Sequence, residues 1–228
     1  MKKLVVLTGA GISAESGIST FRDSNGLWEN HRIEDVANYD SWERNPDLVR
    51  KFYNERRKQL HEVVPNQAHK DLVRLEEKFD VTIITQNVDD LHERAGSKNI
   101  IHLHGELNKA CSVVDPDEVH IIDGWELKET DVDKYGKPLR PFIVFFGEAV
   151  PMIEPAIKEC EQADIMLVVG TSLNVYPAAG LMQYCKKQCR KFLVDPKEPN
   201  ASLAGIRFIK EKATIGVRQV VEEILNIN

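Results

Sequence analysis

KLVVLTGAGISAESGISTFRD, residues 3–23, runs from a short apolar stretch straight into a glycine-rich turn. A continuous β-branched run of this length suits a strand buried on both faces of a parallel sheet. Gly9 and Gly11 permit a tight turn and a close backbone approach, and a helix start after them offers free N–H groups and a positive dipole end to a phosphate. The spacing departs from G-x-G-x-x-G, so a plain turn explains the glycines alone equally well.

Further runs of the same kind follow: DVTIIT, NIIHLH, FIVFF, DIMLVV, KFLVD and IRFIK, alternating with helical patterns. That alternation predicts an α/β chain with a mostly parallel sheet and helices on both faces. The residues after the strands are unusual: Gln86 and Asn87, His104 and Gly105, Gly170 with Thr171 and Ser172, and Asp195. Carboxyl ends of parallel strands form the ligand crevice, so one site assembled from the whole chain is expected. Residues 28–72 read as helices without strands, and 105–142 as charged and irregular with turn signals at Asp115-Pro116, Asp123-Gly124 and Gly136. The sheet domain is therefore assigned residues 1–27, 73–104 and 143–228, and a smaller inserted module 28–72 and 105–142.

With 228 residues, 42% hydrophobic and 29% charged, the composition is that of an ordinary globular protein. A net charge of −6 counts against a nucleic-acid partner, since phosphate neutralisation needs a basic surface. No apolar stretch reaches membrane-spanning length and the N-terminal run is too short for a signal peptide, so no membrane partner and a cytoplasmic location are expected, with the chain carried as a monomer. Cys111, Cys160, Cys185 and Cys189 form no C-x-x-C pair; Cys185 and Cys189, four apart on a predicted helix, read as packing residues.

One helix poses a question. Asn45 as cap and Pro46 at the first position start it, and Val49, Phe52, Tyr53 and Leu60 form its apolar stripe. Arg56 falls on that stripe, where a guanidinium needs an anion or a stem that reaches solvent. The run Arg56, Arg57, Lys58 otherwise reads as a solvated outer face.

TGAGISAESGISTFRD, joined to TQNVDDLHERAG, IHLHGEL, FFGEAVP and GTSLNVYPAA, closely resembles the sirtuin family of NAD-dependent protein lysine deacylases, in that family's order and over nearly the whole chain. The resemblance implies a Rossmann-like sheet with a small module, NAD as co-substrate and acyl-lysine proteins or peptides as partners. It implies cofactor binding by Gly9, Ala10, Gly11, Ser16, Thr20, Phe21, Arg22, Gln86, Asn87, Asp89, His104, Gly170, Thr171, Ser172, Asp195 and Ala213. Asn87 and His104 are the implied catalytic residues. The acyl oxygen would attack C1′ of the nicotinamide ribose, releasing nicotinamide and giving an O-alkylimidate, and His104 would then help a ribose hydroxyl to attack the imidate carbon on the way to O-acyl-ADP-ribose. An imidazole suits that role, and His102 reads as a histidine satisfied within its strand. Substrate would lie as an added strand between Phe145, Phe146, Gly147 and Glu148 on one side and the stretch Ser172–Tyr176, with Val175, on the other.

Departures are informative. Sirtuins commonly carry four zinc cysteines in the module, where this chain has Cys111 alone, so no metal is expected. Asp115, Asp117, Asp123, Asp131 and Asp133 then read as solvated loop charges, with Val113, Val114, Ile121, Ile122, Trp125 and Leu127 available to pack the module. Asp195 and Lys212 stand where Asn and Gly are common. Tyr53 and Arg56, spaced i, i+3, match the class III branch that removes succinyl and malonyl groups, which would supply the anion. Protein mono-ADP-ribosyl transfer and non-catalytic NAD sensing are the alternatives.

Overall fold

A computed structural model describes residues 1–19, 27–28, 31–199 and 203–226. The first half of the chain gives β1 (Lys2–Thr8), a two-stranded ribbon of β2 (Leu27–Trp28) and β3 (His31–Arg32), then α1 (Ile33–Val36), α2 (Ser41–Arg44), α3 (Pro46–Glu62), α4 (Gln67–Val73), β4 (Phe79–Thr85), α5 (Leu91–Ala95) and β5 (Ile100–His102). The second gives β6 (Gly105–Cys111), β7 (Val119–Ile121), β8 (Arg140–Ile143), α6 (Ile153–Gln162), β9 (Ile165–Val169), β10 (Arg190–Val194), β11 (Ile206–Ile209) and α7 (Ala213–Leu225).

Six strands form one parallel sheet in the order β11-β10-β9-β1-β4-β5. From β1 the chain moves outward through β4 and β5, then returns through β9, β10 and β11 on the other side. The order therefore reverses beside β1, where a crevice opens above the strand ends. Alternation along β1 divides its side chains between two cores. Leu4 and Val6 pack with Leu72, Leu75, Val217 and Val220 of the α4 and α7 layer. Val5 and Leu7 pack with Ala156 and Cys160 of α6 and with Leu181.

The fourth apolar run corrects the sequence reading. Phe142 and Ile143 belong to β8, which pairs antiparallel with β6 in a separate three-stranded sheet ordered β7-β6-β8. A short apolar run marks a strand but carries no information on its partner. Residues 28–72 also hold the β2–β3 ribbon, so they are not purely helical. Cys185 and Cys189 lie on no α-helix: a 3-10 turn over Ala178–Tyr184 ends before Cys185, and Cys189 precedes β10.

α3 starts as its sequence dictates, with the Asn45 side chain accepting from the Leu48 N–H and Pro46 in the first turn. Arg57 overturns the expectation of a solvated outer face, being fully buried. Its Nε donates to Leu107 O at 2.6 Å, and its Nη1 to Asn54 Oδ1 at 2.7 Å and Trp125 O at 2.9 Å. Asn54 completes the seam, donating to Leu127 O and accepting from Leu127 N, both at 3.0 Å. Burial pulls the guanidinium down to about 10, so it stays charged at neutral pH, held through Nε and Nη1 by neutral oxygens, while Nη2 has no partner among the described residues. α3 is covered on two sides, by the module as well as by the aromatic core around Phe52 and Phe145.

The module's packing is narrower than expected. Leu127 is buried with Ala110 and Leu139, and Ile122 packs against them. Val113, Val114, Ile121 and Trp125 are exposed. Asp133 is buried and holds a turn: it accepts from Ser112 Oγ at 2.5 Å, Lys137 N at 2.8 Å and Tyr135 N at 2.9 Å.

Behind the crevice His69 of α4 is fully buried, edge-on to His92 of α5 with ring centroids 5.0 Å apart, and neither His69 nitrogen has a partner among the described residues. Burial lowers its pKa to about 4 from the ordinary 6.5. The unfolded chain therefore binds a proton first as pH falls, and stability is full above 6.5 and lost toward 4. Between about pH 7 and pH 5 this residue should cost roughly 2 kcal/mol. His69→Leu should match or exceed wild-type stability at neutral pH and flatten the acid loss in urea melts at the two pH values.

Candidate active site

The crevice is built by an interlock of backbones. Gly9 N donates to Val169 O at 3.0 Å, and Gly11 N to Gly170 O at 2.8 Å. A Cβ on Gly11 would stand 2.6 Å from the Gly170 Cα, and one on Gly170 2.5 Å from the Ile12 N. Gly170 also has φ +63, a left-handed conformation that favours glycine. The glycines are thus required by loop-on-loop contact at the ends of β1 and β9.

Around this interlock lies a cavity of about 560 Å³. Among the described residues, every residue expected at the site lines it except Ser16. The Ser16 hydroxyl instead accepts from Asn66 Nδ2 at 3.0 Å. Thr20, Phe21 and Arg22 lie outside the described residues. The cavity brings together Asp195 and Ala213 at one end, the glycine loops in the middle, and Gln86, Asn87, Asp89 and His104 with the α3 pair Tyr53 and Arg56 beyond.

Sequence reasoning missed Ser13, which is fully buried at the centre of the polar cluster. Its hydroxyl donates to Asp89 Oδ2 at 2.9 Å and accepts from Asn87 Nδ2 at 3.1 Å, while Leu91 N donates to Asp89 Oδ1 at 3.1 Å. The signal available was a serine two residues after Gly11, inside the quoted stretch. Burial raises the Asp89 carboxyl to about 6, partly offset by the Leu91 and Ser13 hydrogen bonds. The loop is further tied by Gln86 Nε2 to Thr171 Oγ1 at 3.2 Å.

His104 Nδ1 lies 3.0 Å from Gln86 O. A carbonyl only accepts, so Nδ1 carries the hydrogen and Nε2 keeps its lone pair. Burial lowers this imidazole's pKa, against the opposing Gln86 bond, which leaves a neutral base at neutral pH.

Glu148 reaches the cavity wall already engaged. Arg140 grips it with Nη1 at 2.7 Å and Nη2 at 3.0 Å, and Phe145 N donates to it at 2.8 Å. Phe145 stacks on Tyr53 with centroids 6.0 Å apart, and the Arg140 guanidinium lies 4.4 Å from the Phe145 ring centre. Arg140, which the sequence reading did not single out, therefore shapes the wall expected from Phe145, Phe146, Gly147 and Glu148. Unanticipated lining residues include Glu15, which accepts from Thr214 N and Oγ1 at 2.9 Å, and Lys197, whose N–H donates to Asp195 Oδ1; Lys212, noted in the sequence, lines the cavity too.

The Sir2 family model matches residues 9–177, the span holding the glycine loop, His104 and the Phe145–Glu148 turn. The chain belongs to the Sir2 family. It is 52% identical over 231 residues to an NAD-dependent protein deacylase of Bacteroides thetaiotaomicron, covering 99% of each chain. It is 50% identical over 230 residues to one of Helicobacter pylori, covering 100% of this chain and 99% of that one. A Sir2 homologue solved as its NAD complex superposes with a TM-score of 0.88 at 38% identity, covering 98% of this chain and 90% of the other. A second, an ADP-ribose complex of a Sir2 homologue, gives 0.89 at 37% identity over 100% of this chain and 94% of that one.

Gly11→Ala should push the two loops apart, because the three nearest contacts of the new Cβ are all backbone atoms of Gly170. A thermal midpoint lowered by the equivalent of about 1–3 kcal/mol, together with at least about tenfold weaker NAD binding by calorimetry, is the expected result.

Proposed function

We propose that this NAD-dependent protein deacylase prefers lysines carrying acidic acyl groups such as succinyl and malonyl. One observation carries the preference. Tyr53 Oη and Arg56 Nε and Nη1 are buried beside the same cavity as His104, and none has a hydrogen-bond partner among the described residues. Three donors left unpaired in one wall each carry a desolvation penalty unless a ligand meets them. The internal-carboxylate explanation is weak: the acid found near Arg56 is Glu55, at 3.9 Å and half exposed. A terminal carboxylate suits a guanidinium fork and a phenol on successive turns of one helix face.

The cavity suits NAD on its own chemistry. Asp195, at the end of β10, offers a carboxylate for ribose hydroxyls, and the interlocked glycines leave backbone without side chains in the middle. Bound there, the dinucleotide supplies an electrophilic ribose carbon and the hydroxyl that receives the acyl group. The chain's own residues do the rest. Gln86, Asn87 and Asp89 hold the nicotinamide end, fixed by Ser13, and His104 Nε2 takes a hydroxyl proton. Acyl-lysine peptide lies between the Phe145–Glu148 turn and residues 172–176, both of which line the cavity. The small module is carried as zinc-free, held by the Arg57 seam and the Asp133 turn.

His104→Ala should abolish deacylation in a protein that still folds, since it removes a base beyond a strand end. In the wild type the acid limb of kcat/KM should fall below the ordinary imidazole value of 6.5, because His104 is lowered and activity is lost as pH drops through its pKa. A folded variant with near wild-type turnover would dismiss the base assignment.

Arg56→Met keeps the stem and removes the fork. Losing one partner of a desolvated charge pair costs on the order of 2–5 kcal/mol, so desuccinylation should drop by about two orders of magnitude or more in kcat/KM while deacetylation changes little. Equal loss on succinyl and acetyl peptides assayed side by side would sink the acidic-acyl preference.

A further inference from the structure

β5 ends on a second histidine, two residues before His104, that grips the same loop. His104 Nδ1 faces Gln86 O at 3.0 Å, and His102 Nδ1 faces the next carbonyl, Asn87 O, at 3.3 Å. The two rings differ at the other nitrogen. His102 Nε2 lies 2.6 Å from Glu93 Oε1 of α5. A carbonyl and a carboxylate both only accept, so His102 satisfies both neighbours only with a hydrogen on each nitrogen.

We propose that His102 is a positioning residue that works as an imidazolium: clamped by Glu93, it donates to the Asn87 carbonyl, holds residues 86–89 in their cavity-lining form, and thereby sets the affinity for NAD. It rests on reading that loop as the nicotinamide-end wall. His102 takes no proton from substrate, in contrast to His104, whose second nitrogen has no hydrogen-bond partner among the described residues.

The electrostatic surroundings agree. Burial is the largest influence and lowers the His102 pKa, but the Glu93 hydrogen bond and charge, with Glu106 of β6, leave it raised. Glu93 is correspondingly lowered: burial raises it, and the bond and charge of His102 outweigh that. Lys109 faces the cluster from β6 and pairs with Glu106 at 2.7 Å, while Asp89 and His92 also feel the His102 charge. A neutral His102 would keep its hydrogen toward Glu93 and turn a lone pair on the Asn87 carbonyl. With the folded pKa raised, the ordered loop is present below that pKa and is lost as pH rises through it.

Two measurements on the full chain test this. In the wild type, ¹⁵N NMR of the imidazoles should show His102 with both nitrogens protonated at about pH 7 and a titration above the ordinary imidazole value, with His104 neutral. Calorimetric NAD binding and Michaelis constants for NAD and acyl peptide should then be followed from about pH 6 to 9 in wild type, Glu93→Gln and His102→Gln. Both variants should bind NAD about tenfold more weakly with the peptide KM little changed. The alkaline weakening of NAD binding should move down by about one pH unit in Glu93→Gln. A neutral His102 ring at pH 7, or variants with wild-type NAD affinity at every pH, would overturn the proposal. Failure of the wild type to bind NAD would count against the cavity assignment instead, while the NMR titration still decides the charge state.

Discussion

The contact on which the site depends is the one between Gly11 and Gly170, where two loops meet backbone to backbone with no room for a methyl group. It joins the ends of β1 and β9, the pair at which the strand order reverses. Because both loops leave a sheet whose strands are buried on both faces, their positions are fixed by the core beneath them. The polar residues of the crevice then hang from a rigid rim, which is what a preorganised site requires.

That rim carries an electrostatic load. Ser13, Asn87 and Asp89 are buried together, and the Asp89 carboxyl is held against its preference for solvent by hydrogen bonds from Ser13 Oγ and Leu91 N, with Asn87 donating to Ser13 in turn. Such groups weaken the free protein relative to an apolar filling of the same space. Their retention makes sense when the ligand completes the network, and the same holds for Tyr53 and Arg56 in the adjoining wall.

Much of this was legible in the chain. Strands with apolar residues on both faces announce themselves as continuous runs, and the polar residues that follow them named most of the crevice. α3 was legible at its start, because Asn45 and Pro46 act locally. The failures share a cause, which is that partner choice is not a local property. Phe142 and Ile143 were recognisable as strand but not as members of the small sheet. Arg57 was taken as solvated because one buried face was assumed, whereas the module covers a second. Asp133 looked like any loop acid until Ser112, a distant residue, turned to meet it. Glu148 stood out, but the Arg140 that engages it sits outside the motif.

Arg56 and Arg57 are neighbours in sequence yet face different parts of the molecule, one the cavity wall and the other the module seam. Successive helix positions turn by roughly 100°, so a single rigid rod presents both. The helix thus acts as a common axle: sequence drift in the 105–142 part of the module that tilts or slides α3 transmits directly to the cavity wall. On the proposed reading, acyl selectivity can accordingly diverge through substitutions at residues such as Leu127 or Trp125, with every side chain that lines the cavity unchanged.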